Sequence, residues 1–309
     1  MNLCGLGDYR PDTNNLDKTQ FMKRMISLLT VLVFLFQAQA QLLWKVSGNG
    51  TGKVSYVFGT HHVAPLHICD SIAGFREAFD SCEQLYGEVV MDDLEKIGQQ
   101  MLPYMMLPQD TLLDRLLTPD EYGKLDAVLK KETGMSAENF KSLTPAAIAM
   151  QLAVISSIKT FPGYDPRNQL DATMQKQARE KGWPVKGLET IQFQTEMIFC
   201  VPRKEQVTSL MKMVNRYDRM AEYSSELNLC YMRQDLDDLL SMTDDPDLGS
   251  TPEEMEKMLY GRNRNWVAQF TRIFPETPTF IVVGAGHLPG EQGVLELLRQ
   301  EGYTVEAVM

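Results

Sequence analysis

The apolar positions change their period along the chain. From Leu42 they alternate or run together over short stretches: Leu42-Leu43-Trp44-Lys45-Val46, the turn Gly48-Asn49-Gly50-Thr51-Gly52, then Lys53-Val54-Ser55-Tyr56-Val57-Phe58. This pattern predicts a β-hairpin. Ile72 to Ser81 reads as a helix, and Glu83 to Val90 as another strand. From Met91 to about Thr160 the spacing turns helical. There Thr118-Pro119-Asp120-Glu121 supplies a cap, an N1 proline and an acidic N3 residue, and Thr144-Pro145 marks a second start. A short strand is expected over Trp183 to Glu189, helix from 203 to about 242, and a capping box at Thr251-Pro252-Glu253-Glu254. The end returns to β: Thr279 to Val283, the turn Gly284-Ala285-Gly286-His287, a helix from about Gln292 to Glu301, and a strand over Thr304 to Val308.

Strands at both ends and helices between them predict an α/β fold, a mixed central sheet flanked by helices with a large helical insertion at about 91–240. No Pro/Gly/Ser linker divides residues 41–309, which are read as one domain, and no tandem repeat of 20 to 50 residues occurs. The upstream part is an address. Lys23 and Arg24, the apolar stretch Ile26 to Phe36 and Ala38-Gln39-Ala40 make residues 22–40 a secretory signal. Residues 1–21, polar and without periodicity, are read as an upstream extension, with translation expected from Met22. The mature chain is then periplasmic or secreted, with no stable transmembrane segment after signal cleavage.

Composition narrows the chemistry. Lys and Arg number 30 against 41 Asp and Glu, a net charge of −11 with no long basic block, which argues against nucleic acid as a partner. The glycine turn at 48–52 fails the phosphate-loop pattern, since Ser47 stands where its first Gly belongs and Val54 follows Lys53. Cys69, Cys82, Cys200 and Cys230 remain after the signal. Proximity pairs Cys69 with Cys82 and Cys200 with Cys230, while buried free thiols are an equal alternative. Only His61, His62, His67 and His287 are available for imidazole chemistry.

Two of these recur in one pattern. An apolar strand empties into Gly-x-x-His at Gly59-Thr60-His61-His62 and again at Gly284-Ala285-Gly286-His287. Active sites of α/β sheets gather beyond the carboxyl ends of strands, where glycine lets the chain turn, so His62 and His287 are expected to meet there. Glu88 lies inside the apolar run Tyr86 to Val90, where a carboxylate needs a cation, a proton or a metal. Two imidazoles and one carboxylate are a familiar set for a catalytic divalent ion, and the helix-borne H-E-x-x-H motif is absent. Each histidine taken alone is more often a turn-packing or capping residue than a ligand. His61 is expected to point away from His62, His67 is a weaker candidate, and Asp92 and Asp93 suit a solvated helix start. Arg262 is read either as a fork for a carboxylate or oxyanion or as a surface charge. Glu189 divides between orienting a ligand and capping the next helix.

These residues carry a family resemblance. Gly59-Thr60-His61-His62, Glu88, Gly187-Leu188-Glu189-Thr190, Arg262-Asn263 with Trp266, and Gly284 to Gly290 with Gly293 occur in an order that resembles the TraB/GumN proteins, related to Tiki-type metalloproteases, over most of residues 42–309. The resemblance implies a metal-dependent site of His62, His287 and Glu88 with Arg262 and Asn263 beside it. It also implies manganese- or cobalt-dependent proteolysis near peptide amino termini. The Tiki pattern includes a C-terminal membrane anchor that this sequence does not show.

The expected activity is that of an exported hydrolase, a peptidase first. It would depend on a divalent cation (manganese, cobalt or zinc) and act on a peptide or protein substrate. His62 and His287 would hold the ion, Glu88 would serve as ligand or general base, and Arg262 and Asn263 would assist. Ligands of one ion should lie about 3–4 Å from each other. The alternative is a non-catalytic protein that binds a peptide or other ligand in the same cleft. A serine or cysteine hydrolase is disfavoured, because no Gly-x-Ser-x-Gly elbow occurs.

Overall fold

A computed structural model describes residues 41–161, 163–245 and 248–309. The expected upstream extension and signal sequence, residues 1–40, lie outside the described residues. Six strands form one mixed sheet: β1 (Leu43–Gly48), β2 (Ser55–Thr60), β3 (Gln84–Gly87), β4 (Val185–Gly187), β5 (Thr279–Gly284) and β6 (Tyr303–Ala307), in the order β4-β3-β5-β2-β1-β6. The strands β4, β3, β5 and β2 run parallel, and β1 is antiparallel to both β2 and β6. The central strand β5, Thr-Phe-Ile-Val-Val, is buried on both faces, which explains its unbroken apolar run.

The parallel register sets the site. Thr60 lies opposite Gly284, and Gly87 opposite both Val282 and Gly187, so four strands end at one edge. The residues that follow them, 61–62, 88, 188–189 and 285–287, emerge side by side there. The two Gly-x-x-His glycines serve close approach rather than a left-handed turn. A Cβ on Gly59 would stand 2.8 Å from Leu288 Cδ1 and 3.1 Å from Ala285 Cα, and one on Gly284 would stand 3.3 Å from Glu88 Oε1.

The helices that bear on the site are α1 (Phe75–Asp80), α2 (Leu94–Met105), α3 (Pro119–Thr133), α4 (Pro145–Thr160), α5 (Leu170–Glu180), α6 (Ile191–Phe199), α7 (Arg203–Asn215), α8 (Tyr217–Met232), α9 (Gly261–Ile273) and α10 (Val294–Gln300). The Thr118 and Thr251 capping boxes form, and Thr144 accepts from Ala147 N–H as the cap of α4. Asp93 caps α2, as a solvated helix start should.

Two local readings change. The helix expected over Ile72 to Ser81 is shorter, α1 alone, because Gly74 at φ 66° stands at its N-cap, and a separate short helix, Ile68–Ser71, precedes it. β3 stops at Gly87, so Glu88 stands one residue past the strand end rather than inside it. Within the segment 91–240, β4 lies inside the strand expected over Trp183 to Glu189 and returns to the sheet. The helices of that segment build a second core around Leu113, Leu125, Ile148, Leu152 and Leu210, apart from the sheet core around Phe58, Phe280, Trp266 and Phe270. The cysteines Cys69, Cys82, Cys200 and Cys230 are free thiols, so neither proximity pairing forms. Cys82 and Cys230 are buried, Cys200 is exposed, and burial pushes the Cys69 and Cys82 thiols up to about 12. Among the described residues no helix is long and apolar enough to cross a membrane.

Candidate metal and catalytic centre at the sheet edge

A buried guanidinium organises the edge. Arg262, in the first turn of α9, donates from Nε to Glu189 Oε1 at 3.0 Å and from Nη2 to Glu189 Oε2 at 2.9 Å. The same Nη2 donates to Glu88 Oε2 at 2.6 Å. Nη1 donates to the Met258 carbonyl at 2.9 Å and lies 3.1 Å from His287 Nε2. The π-turn Glu256–Tyr260 precedes α9 and carries Met258, placing a backbone acceptor under the fork. Trp266, one turn on, stacks beneath Arg262 with the guanidinium carbon 4.7 Å from its ring centre, and donates from Nε1 to Glu189. Arg262 is thus a carboxylate fork, not a surface charge. Glu189 is its buried anchor, and the cap of α6 is Thr190.

Geometry fixes the state of His287. Arg262 can only donate, so Nε2 accepts and the ring proton sits on Nδ1. Nδ1 is 2.6 Å from Asn263 Oδ1, and the Asn263 amide nitrogen donates to the carbonyls of Gln292 and His287, which orients that oxygen toward the ring. Burial lowers the His287 pKa to about 4, with Glu88 raising it and Arg262 and His62 lowering it further, so the ring is neutral at pH 7. Glu88 Oε1 accepts from Gly284 N–H at 2.8 Å, and Oε2 also accepts from Gln194 at 3.0 Å. Burial opposes its ionisation, but His287, Arg262, His62 and the Gly284 amide outweigh that and bring its pKa down to about 2.

Of the predicted residues, Glu88, Arg262, Asn263 and His287 form one contiguous network. His62 emerges from the adjacent strand, and its Nδ1 faces Asp171 Oδ2 at 3.8 Å instead of contacting Glu88. Its side chain is 82% exposed. Asp171 raises its pKa to about 9, against the effect of desolvation, and the charges of Glu88 and Arg262 also reach it. His61 turns the other way, between Phe161 and Tyr231 at 5.5 and 5.4 Å, and burial lowers its pKa to about 4. A surface cleft of about 520 Å³ between Phe193, Pro252, Lys257 and Gly261 reaches Arg262 from the other side.

The donors can be tested against a divalent cation. His287 presents an unprotonated Nε2, backed by an acceptor on Nδ1 as metal-binding imidazoles are. It lies 3.8 Å from an ionised Glu88 oxygen, a separation two ligands of one ion adopt. These two fit, and His62 is the third candidate donor, on the strand end next to them. Among the described residues no three His, Cys, Asp or Glu side chains already close on one point, and Arg262 Nη1 occupies the Nε2 lone pair.

Sequence reading missed Asp171 and Gln194. Each is one polar residue in a helix that reads as amphipathic, and no spacing signal marks it.

The shifts predict acid sensitivity with a definite sign. His61 and His287 are held neutral in the fold, so the unfolded chain takes up their protons first. The stability they confer is in place above about pH 6.5 and is lost as pH falls toward 4. The contribution of Glu88 is in place above about pH 4.5 and is lost as pH falls toward 2. His62 has the opposite sign, its share present below pH 6.5 and lost as pH rises through about 9. Urea unfolding at pH 7, 6 and 5 should show falling stability before most carboxylates protonate; a flat profile would contradict the buried neutral rings.

Two curated relatives are similar over most of the chain. Metalloprotease TIKI2 of Danio rerio is 22% identical over 85% of this chain and 60% of its own length, and Metalloprotease TIKI1 of Homo sapiens is 24% identical over 82% and 59%. The chain therefore spans about three-fifths of the relatives it matches. No solved structure matches it. The model of the TraB/PrgY/gumN family matches residues 42–307, and the chain belongs to that family.

Proposed function

We propose that the protein is an exported, divalent-metal-dependent hydrolase, a peptidase, with His62, His287 and Glu88 as the metal-binding set and a peptide or protein as substrate. The observation that carries this reading is the neutral His287, held with Nε2 toward an ionised Glu88 by Asn263 on one side and Arg262 on the other. The names of the two distant relatives support the reaction class. The pattern of residues 22–40 supports export.

A divalent cation bound there supplies Lewis acidity and water of lowered pKa, about 7. The chain's own groups do the rest. Glu88 provides a ligand oxygen or takes a proton as general base. Arg262, its N–H groups engaged by Glu189, Glu88, the Met258 carbonyl and His287, keeps a positive charge at the same edge, and that charge favours negative charge developing on a substrate carbonyl oxygen. Asn263 keeps the His287 tautomer, and the His62 ring is the third donor to the ion.

Chelation should abolish cleavage of a peptide library by the mature protein, and return of manganese, cobalt or zinc should restore it. Cleavage unchanged by thorough chelation would overturn the reading. The competing function, ligand binding without turnover, predicts peptide retention and no new amino termini under either condition.

A further inference from the structure

Asp171 is a buried carboxylate that the network around Arg262 does not use. It lies in the first turn of α5, only 8% exposed, where the free N–H groups of a helix start favour an anion. Its Oδ1 accepts a 2.8 Å hydrogen bond from Thr60 Oγ1, and Thr60, the last residue of β2, is also within 3.3 Å of the Val283 carbonyl on β5. The carboxylate is therefore pinned by the strand end that carries His62. Its second oxygen faces His62 Nδ1.

The neighbouring parallel strand shows a tighter arrangement of the same kind, a 2.6 Å hydrogen bond where His62 and Asp171 stand 3.8 Å apart as an ion pair. There Nδ1 of His287 meets Asn263 Oδ1, again a side-chain oxygen from a flanking helix. The two nitrogens of an imidazole lie on different edges of the ring, so an acceptor on Nδ1 turns Nε2 away from itself. In His287 that direction leads to Glu88 and Arg262, and in His62 it leads away from Asp171. His287 is further fixed by burial and by Trp266, 4.4 Å away ring to ring. His62 is 82% exposed, and among the described residues Asp171 is the side chain that pairs with its ring. Without that partner the ring loses its preferred rotamer to solvent.

We propose that Asp171 is the positioning residue of His62: its carboxylate holds Nδ1 and aims Nε2 at the divalent cation that Glu88 and His287 share. This rests on the metal-site reading above. A carboxylate behind an imidazole also raises the ring's basicity as a ligand, and loss of such a partner typically weakens metal affinity about 10–100-fold.

The test is Mn²⁺ binding to the mature protein by isothermal titration, with the thermal midpoint recorded alongside. Asp171→Asn should bind Mn²⁺ about 10–100-fold more weakly, and Asp171→Glu should recover much of the loss. In a His62→Ala background Asp171→Asn should make no further difference, which a merely structural role would not produce. His287→Ala separates the two levels of the claim. If it weakens binding while Asp171→Asn binds as wild type, Asp171 only packs against Thr60 and the proposal is overturned. If Asp171→Asn weakens binding equally with and without His62, its effect does not pass through that ring and the proposal is again overturned. If His287→Ala also binds Mn²⁺ as wild type, the metal-site reading itself falls, and this inference with it.

Discussion

Arg262→Met should destabilise the protein by about 3–5 kcal/mol, the cost of breaking a buried ion pair from one side. Against a total of about 5–15 kcal/mol for a typical domain, that is enough to leave the variant marginal. The physical reason is the pair of carboxylates. Glu88 and Glu189 have side chains 14% and 8% exposed, and both give oxygens to the same guanidinium. Methionine fills the volume but leaves two buried negative charges facing each other with no cation. Arg262→Lys should fall between, since an ammonium cannot reproduce the two-oxygen grip on Glu189 together with the bond to Glu88. Adding Glu189→Gln to Arg262→Met should return part of the lost stability by removing one orphaned charge. Guanidinium unfolding monitored by circular dichroism measures all four proteins. A loss below about 1 kcal/mol in Arg262→Met, the range of exposed pairs, would mean that water screens this cluster.

Glu88→Gln is the larger test on activity. The substitution keeps the shape and can still accept from Gly284 N–H, so the fold should survive. It removes the negative charge, and with it both a ligand and a base. Turnover should fall by at least the 10²–10⁴-fold typical for a lost general base. Peptide hydrolysis under saturating substrate measures it, with peptide binding measured on the same preparations. If wild type and Glu88→Gln both bind peptide and neither cleaves it, the cleft is a binding site and the hydrolase reading is wrong.

How much of this was readable before the structure depends on how local each signal is. The strands themselves, the Thr118 and Thr251 capping boxes and the two Gly-x-x-His segments are written in neighbouring residues, so periodicity and cap chemistry identify them, although not every strand end. The order of the sheet is not local. Only the parallel pairing of β2, β5, β3 and β4 explains why residues from 60 to 287 share one edge, and no residue in any strand announces its neighbour. The family resemblance pointed to Glu88, His62, His287, Arg262 and Asn263 together. The roles came from contacts: Arg262 was legible as a fork but not that Glu189 would be its anchor, and Asp171 carried no signal at all. In sequence Gly59 and Gly284 read as turn residues, whereas the structure uses them for close approach. The four cysteines show the limit of proximity in sequence, since each stands on its own in the fold and none pairs.

The central claim is that one cation is shared by side chains that follow β2, β3 and β5. The most direct measurement is a metal titration of the purified, metal-stripped mature protein, wild type beside Glu88→Gln, with bound metal counted by elemental analysis. The account predicts one equivalent of a divalent ion on wild type and binding weakened by an order of magnitude or more in the variant. Equal binding by both proteins, or a wild type that hydrolyses peptides at full rate with no divalent metal bound, would contradict it.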